Sequence, residues 1–175
     1  MTTQQMAAAM QRMRDVLQRR PERGLHDDTG AVARWQGDAR IACDHPNGTQ
    51  LVTDMPVELG GTGDHATPGW LFRAALASCA ATRIAMEAAA CGIELTELEV
   101  RADSQSDARG LLGMQAPDGL PVPSAPCAMQ MRVRLRAAGV PAPTLQALVR
   151  RSRSCSPVPA AVEQALPLDW QIDAA

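Results

Sequence analysis

Cys79 is the residue in this chain best placed to do chemistry. It stands in Ala77-Ser78-Cys79-Ala80-Ala81, where small neighbours leave room for a ligand beside the sulfur. A thiol in such a setting can serve as a nucleophile or redox centre, but only as the thiolate. The plain alternative is a packing residue, since free cysteine is among the most buried residue types. Cys79 lies about three turns beyond Pro68 on a helical reading, and a helix dipole fades beyond its first turn. A cysteine with the ordinary pKa of about 8.5 therefore needs an arginine brought from elsewhere in the chain to become a useful thiolate.

The other candidate ligands and nucleophiles form no motif. Cys43, Cys91, Cys127 and Cys155 bring the cysteines to five, an odd count with no CxxC or CxxxxC spacing, and His26, His45 and His65 make no HxxxH pair. No metal site is expected. Gly61-Thr62-Gly63-Asp64-His65-Ala66 matches G-x-G-x-x-A, but that fingerprint needs a parallel βαβ unit, and the flanks read as antiparallel hairpins. No cofactor is expected either. A net charge of −2 and 2% aromatic residues with no tyrosine argue against a nucleic-acid partner. All 17 basic residues are arginine, which fits codon bias, and the row Arg132, Arg134 and Arg136 reads as a solvated face and not a polyanion site. The N-terminus lacks the charged segment followed by an apolar core of a secretion signal, which predicts a cytosolic protein with reduced thiols.

The elements that must position Cys79 centre on Thr67–Gly92, nearly all apolar, with Thr67 as N-cap, Pro68 at the first helical position and Gly92 just past the end. Arg83 and Glu87 sit at i,i+4 as an ion pair. A helix of about 25 residues, roughly 37 Å long and apolar nearly all round, should be buried on most sides, by a sheet and in part by a second subunit. Arg73, Arg83 and Glu87 interrupt it too often for a membrane span, so no membrane partner is expected. Upstream, residues 4–20 read as a helix with Met6, Met10, Met13 and Leu17 on one stripe. Ala31–Ala42 reads as a strand bent at Gly37, Asp44–Gly48 as a hairpin turn, and Thr49–Asp54 as the returning strand. Residues 56–66 read as a surface loop.

Downstream, Leu98, Val100 and Ala102 alternate with charged residues, and Met129, Met131, Val133 and Leu135 alternate with Gln130, Arg132, Arg134 and Arg136. The acidic face of 97–101 and the basic face of 129–136 suit an antiparallel ladder. Ser104–Pro126 reads as a long connection, Pro143–Arg153 as a helix, Ala160–Ala165 as a short helical piece, and Leu168, Trp170 and Ile172 as a last strand. The class is α+β with antiparallel sheets around a long central helix. Residues 1–30 form an N-terminal helix and loop, and 31–175 a single domain.

Pro68-x-x-Leu71-Phe72-x-Ala74-Ala75-x-Ala77-Ser78-Cys79 resembles the peroxidatic-cysteine helix of the OsmC/Ohr family, the osmotically inducible and organic hydroperoxide resistance proteins. Pro56-Val57-Glu58-Leu59-Gly60-Gly61 is similar to the loop before it, and Cys91-Gly92-Ile93-x-Leu95-x-x-Leu98-x-Val100 to the passage after it. Ser106-Asp107-x-Arg109-Gly110 resembles a loop of the OsmC-like branch, and Ser156-Pro157-Val158 the second-cysteine motif. The resemblance covers about residues 31–173.

It implies an intertwined homodimer in which antiparallel sheets wrap two central helices, with active sites between the subunits. It also implies reduction of organic hydroperoxides by a thiolate that becomes a sulfenic acid, which a second cysteine and a dithiol reductant then recycle. On this resemblance the catalytic set is Cys79 as nucleophile, Arg40 as activating cation with Arg34 second, and Cys155 as the resolving thiol. Three positions depart from the pattern. The glutamate that usually follows the helix-starting proline, and that orients the activating arginine in the family, is Gly69 here, with Glu58 the candidate to take its place. Ser156 occupies the second-cysteine slot, and Cys155 lies one residue early. These departures leave an alternative, a non-catalytic dimer of the same fold that binds a small apolar ligand between its subunits.

Overall fold

The computed structural model describes residues 2–174. The chain divides into two compact units, Ala8–Ala74 and Met1–Ala7 with Ala75–Ala175. Helix α1 covers Thr3–Arg19, as its methionine stripe requires, and Pro21 ends it by opening a single 3-10 turn. Met6, Met10 and Leu17 are half-buried and Met13 is exposed.

The 8–74 unit carries a three-stranded antiparallel meander of β1 (Val32–Trp35), β2 (Ile41–Asp44) and β3 (Gln50–Thr53). The single bent strand expected over 31–42 is thus two strands. Gly37 and Asp38 both take positive φ, 106° and 47°, and turn the chain back so that Trp35 faces Ile41. The turn spans Gly37, Asp38 and Ala39 between the paired Gln36 and Arg40, and such a turn favours residues that tolerate the left-handed region, glycine foremost. The Asn47-Gly48 turn falls where the sequence places it, with Gly48 at φ 89° and its N–H donating to His45 O.

Helix α2 runs from Pro68 to Ala90. Thr67 caps it through Oγ1, which accepts from the Trp70 N–H at 3.2 Å. At the other end Gly92 adopts φ 67°, its N–H donates to Ala89 O and the Ile93 N–H to Ala88 O, a Schellman closure. One stripe of α2 is buried: Leu76, Ala80, Ile84 and Ala88, joined by Ala89. The expected burial on most sides does not hold within one chain, because Trp70, Phe72, Ala75, Ser78 and Thr82 remain exposed. The chain's three tryptophans and one phenylalanine are all exposed, at 73% for Trp35, 53% for Trp70, 81% for Trp170 and 37% for Phe72. Aromatic side chains ordinarily supply the largest buried areas in a fold.

In the second unit β4 (Leu95–Gln105) and β5 (Cys127–Ala137) form a two-stranded antiparallel ribbon. Glu97 pairs with Arg136 and Glu99 with Arg134 across it, and Arg136 Nε reaches Glu97 Oε2 at 3.0 Å. The acidic-against-basic register expected from the two strands is observed. Exposed pairs of this kind fix register more than they add stability. Behind the ribbon Ile84, Ala88 and Leu148 form the core, with Leu98, Val100, Val133 and Leu135 packed on it. Burying side chains such as Ile84 and Leu148 contributes roughly 2 kcal/mol each.

The connection between the ribbon strands contains a one-turn helix, α3 (Ala108–Leu111), capped by the Asp107 carboxylate on the Arg109 N–H. Gly110 is buried there and must be glycine, because a Cβ would stand 2.2 Å from Pro123 O. Helix α4 spans Ala142–Arg153 and buries Leu145, Leu148 and Ser152. The next helix starts earlier than the sequence suggested: α5 is Pro157–Glu163, not 160–165. Pro157 and Pro159 both fall in its first turn, where no intrahelical N–H bond is lost. The expected strand at Leu168, Trp170 and Ile172 is absent, and these side chains are 80–85% exposed. A strand needs a paired edge, and no neighbouring strand of the described chain takes this segment.

Candidate thiol site

Cys79 is half-buried on α2, between the buried Leu76 and Ala80. Residues three and four apart share a helix face, so the sulfur lies about 60° round the helix from Leu76. Leu76, Ala80 and Ile84 line one wall of an open cavity of about 470 Å³. Met129, Met131 and Val133 of β5 form a second wall, and Val149, Ser152, Ser156 and Pro159 of the α4–α5 corner close it. The lining is mainly apolar. Polar groups enter at the edge, where Arg153 Nη2 pairs with Glu163 Oε1 at 3.0 Å.

Ser156 reaches this wall because of the corner's backbone. Its Oγ donates to Ser152 O at 3.0 Å, and Ser152 Oγ donates to Leu148 O at 2.9 Å, so both buried hydroxyls are satisfied inside the corner. Ser156 is the extended residue before Pro157 and is 2% exposed. Cys155, its neighbour, is exposed, with Sγ 3.8 Å from Ser154 Oγ, and is not part of the cavity wall.

Arg40 sits in the turn immediately before β2, within a carboxylate network. Its Nη2 donates to both oxygens of Asp64 at 2.7 Å and 2.8 Å and to Thr62 Oγ1 at 3.0 Å. Asp54, 1% exposed, accepts from the Met55 N–H, the Thr62 N–H and the Thr62 hydroxyl at 2.7, 2.9 and 2.6 Å. Those donors, the Thr62 hydroxyl foremost, hold the Asp54 carboxyl well below the usual carboxylate range against the opposing effect of burial. Asp64 is also lowered, first by the Thr62 hydroxyl and then by Arg40. The loop between them turns tightly: a Cβ on Gly61 would stand 1.9 Å from Met55 O. Arg34, the second arginine candidate, pairs with Asp44 across the β1–β2 hairpin.

Sequence reasoning missed Asp64 and Thr62 as partners of Arg40. The only signal was the Gly-Thr-Gly-Asp run itself, whose carboxylate is brought back toward β2 by turns at Gly60 and Gly63, φ 82° and 73°. Glu58, exposed on its 3-10 turn, is not the carboxylate that Arg40 holds. A second cluster also emerges. Glu87, expected to pair with Arg83, does so at 2.9 Å and also accepts from Arg151 Nε at 3.0 Å, while Arg151 Nη2 donates to Cys91 Sγ at 3.5 Å. Arg151, then Arg83, lowers the Glu87 carboxyl. Among the described residues, no three His, Cys, Asp or Glu side chains converge to hold a metal ion.

Residues 61–171, more than half of the chain, match the family model described as OsmC-like protein. The chain belongs to that family. Its OsmC-like fold recurs in solved structures of low sequence identity. An OsmC-like protein from Mycoplasma pneumoniae superposes with a TM-score of 0.65 at 12% identity, covering 79% of this chain and 89% of that one. An organic hydroperoxide resistance protein OsmC from Legionella pneumophila gives 0.56 at 22% identity, with 79% and 90% covered. One from Elizabethkingia anophelis, crystallised with bound thiocyanate, gives 0.56 at 20% identity, with 79% and 89% covered. No curated protein matches the chain. The OsmC-like match includes Cys79, Cys155 and Ser156, whereas Arg40, Arg34 and Glu58 precede it. Among the described residues, no helix is long and apolar enough to cross a membrane.

Proposed function

We propose that this OsmC-like protein is a thiol-dependent reductase of organic hydroperoxides, with Cys79 as its nucleophile and the cytosol as its compartment. The observation that carries the reading is the apolar cavity, which Cys79 does not itself line but whose α2 wall includes Leu76 and Ala80 on either side of it in the helix. An apolar alkyl or aryl group suits such a wall, and in this reading the peroxide end of the substrate extends from it toward Cys79. The Cys79 thiolate attacks the terminal peroxide oxygen, the O–O bond breaks, and the alkoxide takes a proton and leaves as the alcohol. Cys79 is left as the sulfenic acid. One thiol of a dithiol then condenses with it, releasing water, and the second thiol displaces Cys79 as the reductant closes to a cyclic disulfide. Arg40 is the cation assigned to the reacting sulfur. Cys155 is the alternative internal thiol.

The working unit in this reading is a homodimer of the OsmC-like domain, residues 31–175. Four exposed aromatic side chains and a long helix buried along one stripe both support a second copy covering what one chain leaves open. The test is turnover of cumene hydroperoxide with dihydrolipoate, compared with glutathione. Turnover with the dithiol that disappears in Cys79→Ser is the expected result. No turnover with either thiol would leave the cavity as a binding site for an apolar ligand and refute the enzymatic reading.

A further inference from the structure

Arg40 is held by one edge only. All of its hydrogen bonds leave from Nη2, to Asp64 Oδ1, Asp64 Oδ2 and Thr62 Oγ1, and its 3.7 Å approach to Asp54 is also through Nη2. Among the described residues, the Nε and Nη1 protons take no hydrogen-bond partner, and the side chain is about one third exposed. A guanidinium is a rigid plane with its charge spread over three nitrogens, so fixing one nitrogen orients the whole group.

The clamp is itself built on fixed backbone. The Thr62 hydroxyl has one proton and lies 2.6 Å from Asp54 Oδ2 and 2.6 Å from Asp64 Oδ1. That proton serves one carboxylate at a time, and Asp54 keeps the Met55 and Thr62 N–H groups as donors when the hydroxyl turns to Asp64. Gly61 allows the close turn that brings Thr62 onto Asp54, and the Gly63 N–H donates to Met55 O at 3.1 Å.

We propose that Asp64, steadied by Thr62, is the positioning residue for Arg40, holding one edge of the guanidinium so that the other is presented to an anion. The inference rests on the reading of Arg40 as the cation for Cys79. It gives Asp64 the task that the family resemblance gives to a glutamate at the position of Gly69. Nothing in it requires Asp64 to touch the substrate.

The test uses the full chain and two readouts: the rate of Cys79 carbamidomethylation by iodoacetamide at pH 7, followed by peptide mass spectrometry, and kcat and KM for cumene hydroperoxide with dihydrolipoate. Asp64→Asn should slow both the labelling and kcat by about tenfold, the scale of one charge-assisted hydrogen bond, with KM changed less than twofold, on the order of measurement scatter. Asp64→Glu should recover most of both rates. The double variant Arg40→Ala/Asp64→Asn should be no slower than Arg40→Ala alone, since both substitutions remove one device. Asp64→Asn at the wild-type rate beside a slow Arg40→Ala would overturn the positioning role and leave Arg40 standing. Arg40→Ala at the wild-type rate would remove both. Should the wild type turn over no hydroperoxide, the function falls, and the labelling series still decides whether Asp64 acts through Arg40.

Discussion

Cys155 and Ser156 are neighbours in the chain, yet the serine is the one buried in the cavity wall while the cysteine is exposed. Adjacent Cα atoms stand about 3.8 Å apart, and Pro157 fixes the extended backbone at Ser156, so the two side chains cannot exchange places without rebuilding the corner. A disulfide requires Cα atoms within about 7 Å and converging Cβ vectors. After oxidation by hydroperoxide, quantitative peptide mapping should therefore show little Cys79–Cys155 bridge in the natural protein. Ser156→Cys should bridge to Cys79. Rapid, complete Cys79–Cys155 pairing in the unaltered chain would show the corner to be mobile enough to carry the exposed thiol inward.

The exposed aromatics give a prediction about assembly. Trp35, Trp70, Trp170 and Phe72 together with the open side of α2 are more apolar surface than a stable monomer ordinarily shows. Sedimentation equilibrium should find a dimer at micromolar concentration, and the thermal midpoint should rise with protein concentration. A folded monomer with a concentration-independent midpoint would contradict this.

The Asp54 network predicts an acid limb in stability. Its folded carboxyl is depressed below the unfolded value near 3.8, so its contribution is fully present above that value. It is lost as pH falls below about 4 toward the folded value. Urea midpoints measured between pH 6 and pH 2.5 should fall more steeply for the natural protein than for Asp54→Asn, which starts lower. Parallel curves would mean that Asp54 titrates alike in both states.

Two glycines lie where no side chain fits. A Cβ would stand 1.9 Å from Met55 O at Gly61 and 2.2 Å from Pro123 O at Gly110, in both cases against backbone. Gly61→Ala and Gly110→Ala should each cost more than about 2 kcal/mol by chemical denaturation. Gly30→Ala, where nothing lies within 4 Å, should cost little. Equal midpoints for all three variants would contradict the close approaches.

Much of this architecture was legible in the residues. Thr67, Pro68 and Gly92 mark both ends of α2 because caps are local chemistry, and the alternation of β5 marks its two faces because strand period is fixed. Glycine at Gly37 signalled an interruption, but not that Asp38 would join it at positive φ and split one strand into two. The alternation of Leu168, Trp170 and Ile172 looks the same whether or not a paired edge exists, so periodicity could not decide between strand and coil. At the site, the family pattern marked Cys79, whereas Asp64 meets Arg40 only through turns at Gly60 and Gly63 that no spacing rule encodes.

The central claim is that Cys79 is the sulfur that meets the hydroperoxide. One equivalent of cumene hydroperoxide added to the reduced protein, with dimedone present to trap sulfenic acid, followed by peptide mapping of all five cysteines, tests it most directly. The account predicts label on the Cys79 peptide in near-stoichiometric amount, with Cys43, Cys91, Cys127 and Cys155 almost unlabelled. Label concentrated on the exposed Cys91, Cys127 or Cys155, or hydroperoxide left unconsumed, would contradict it.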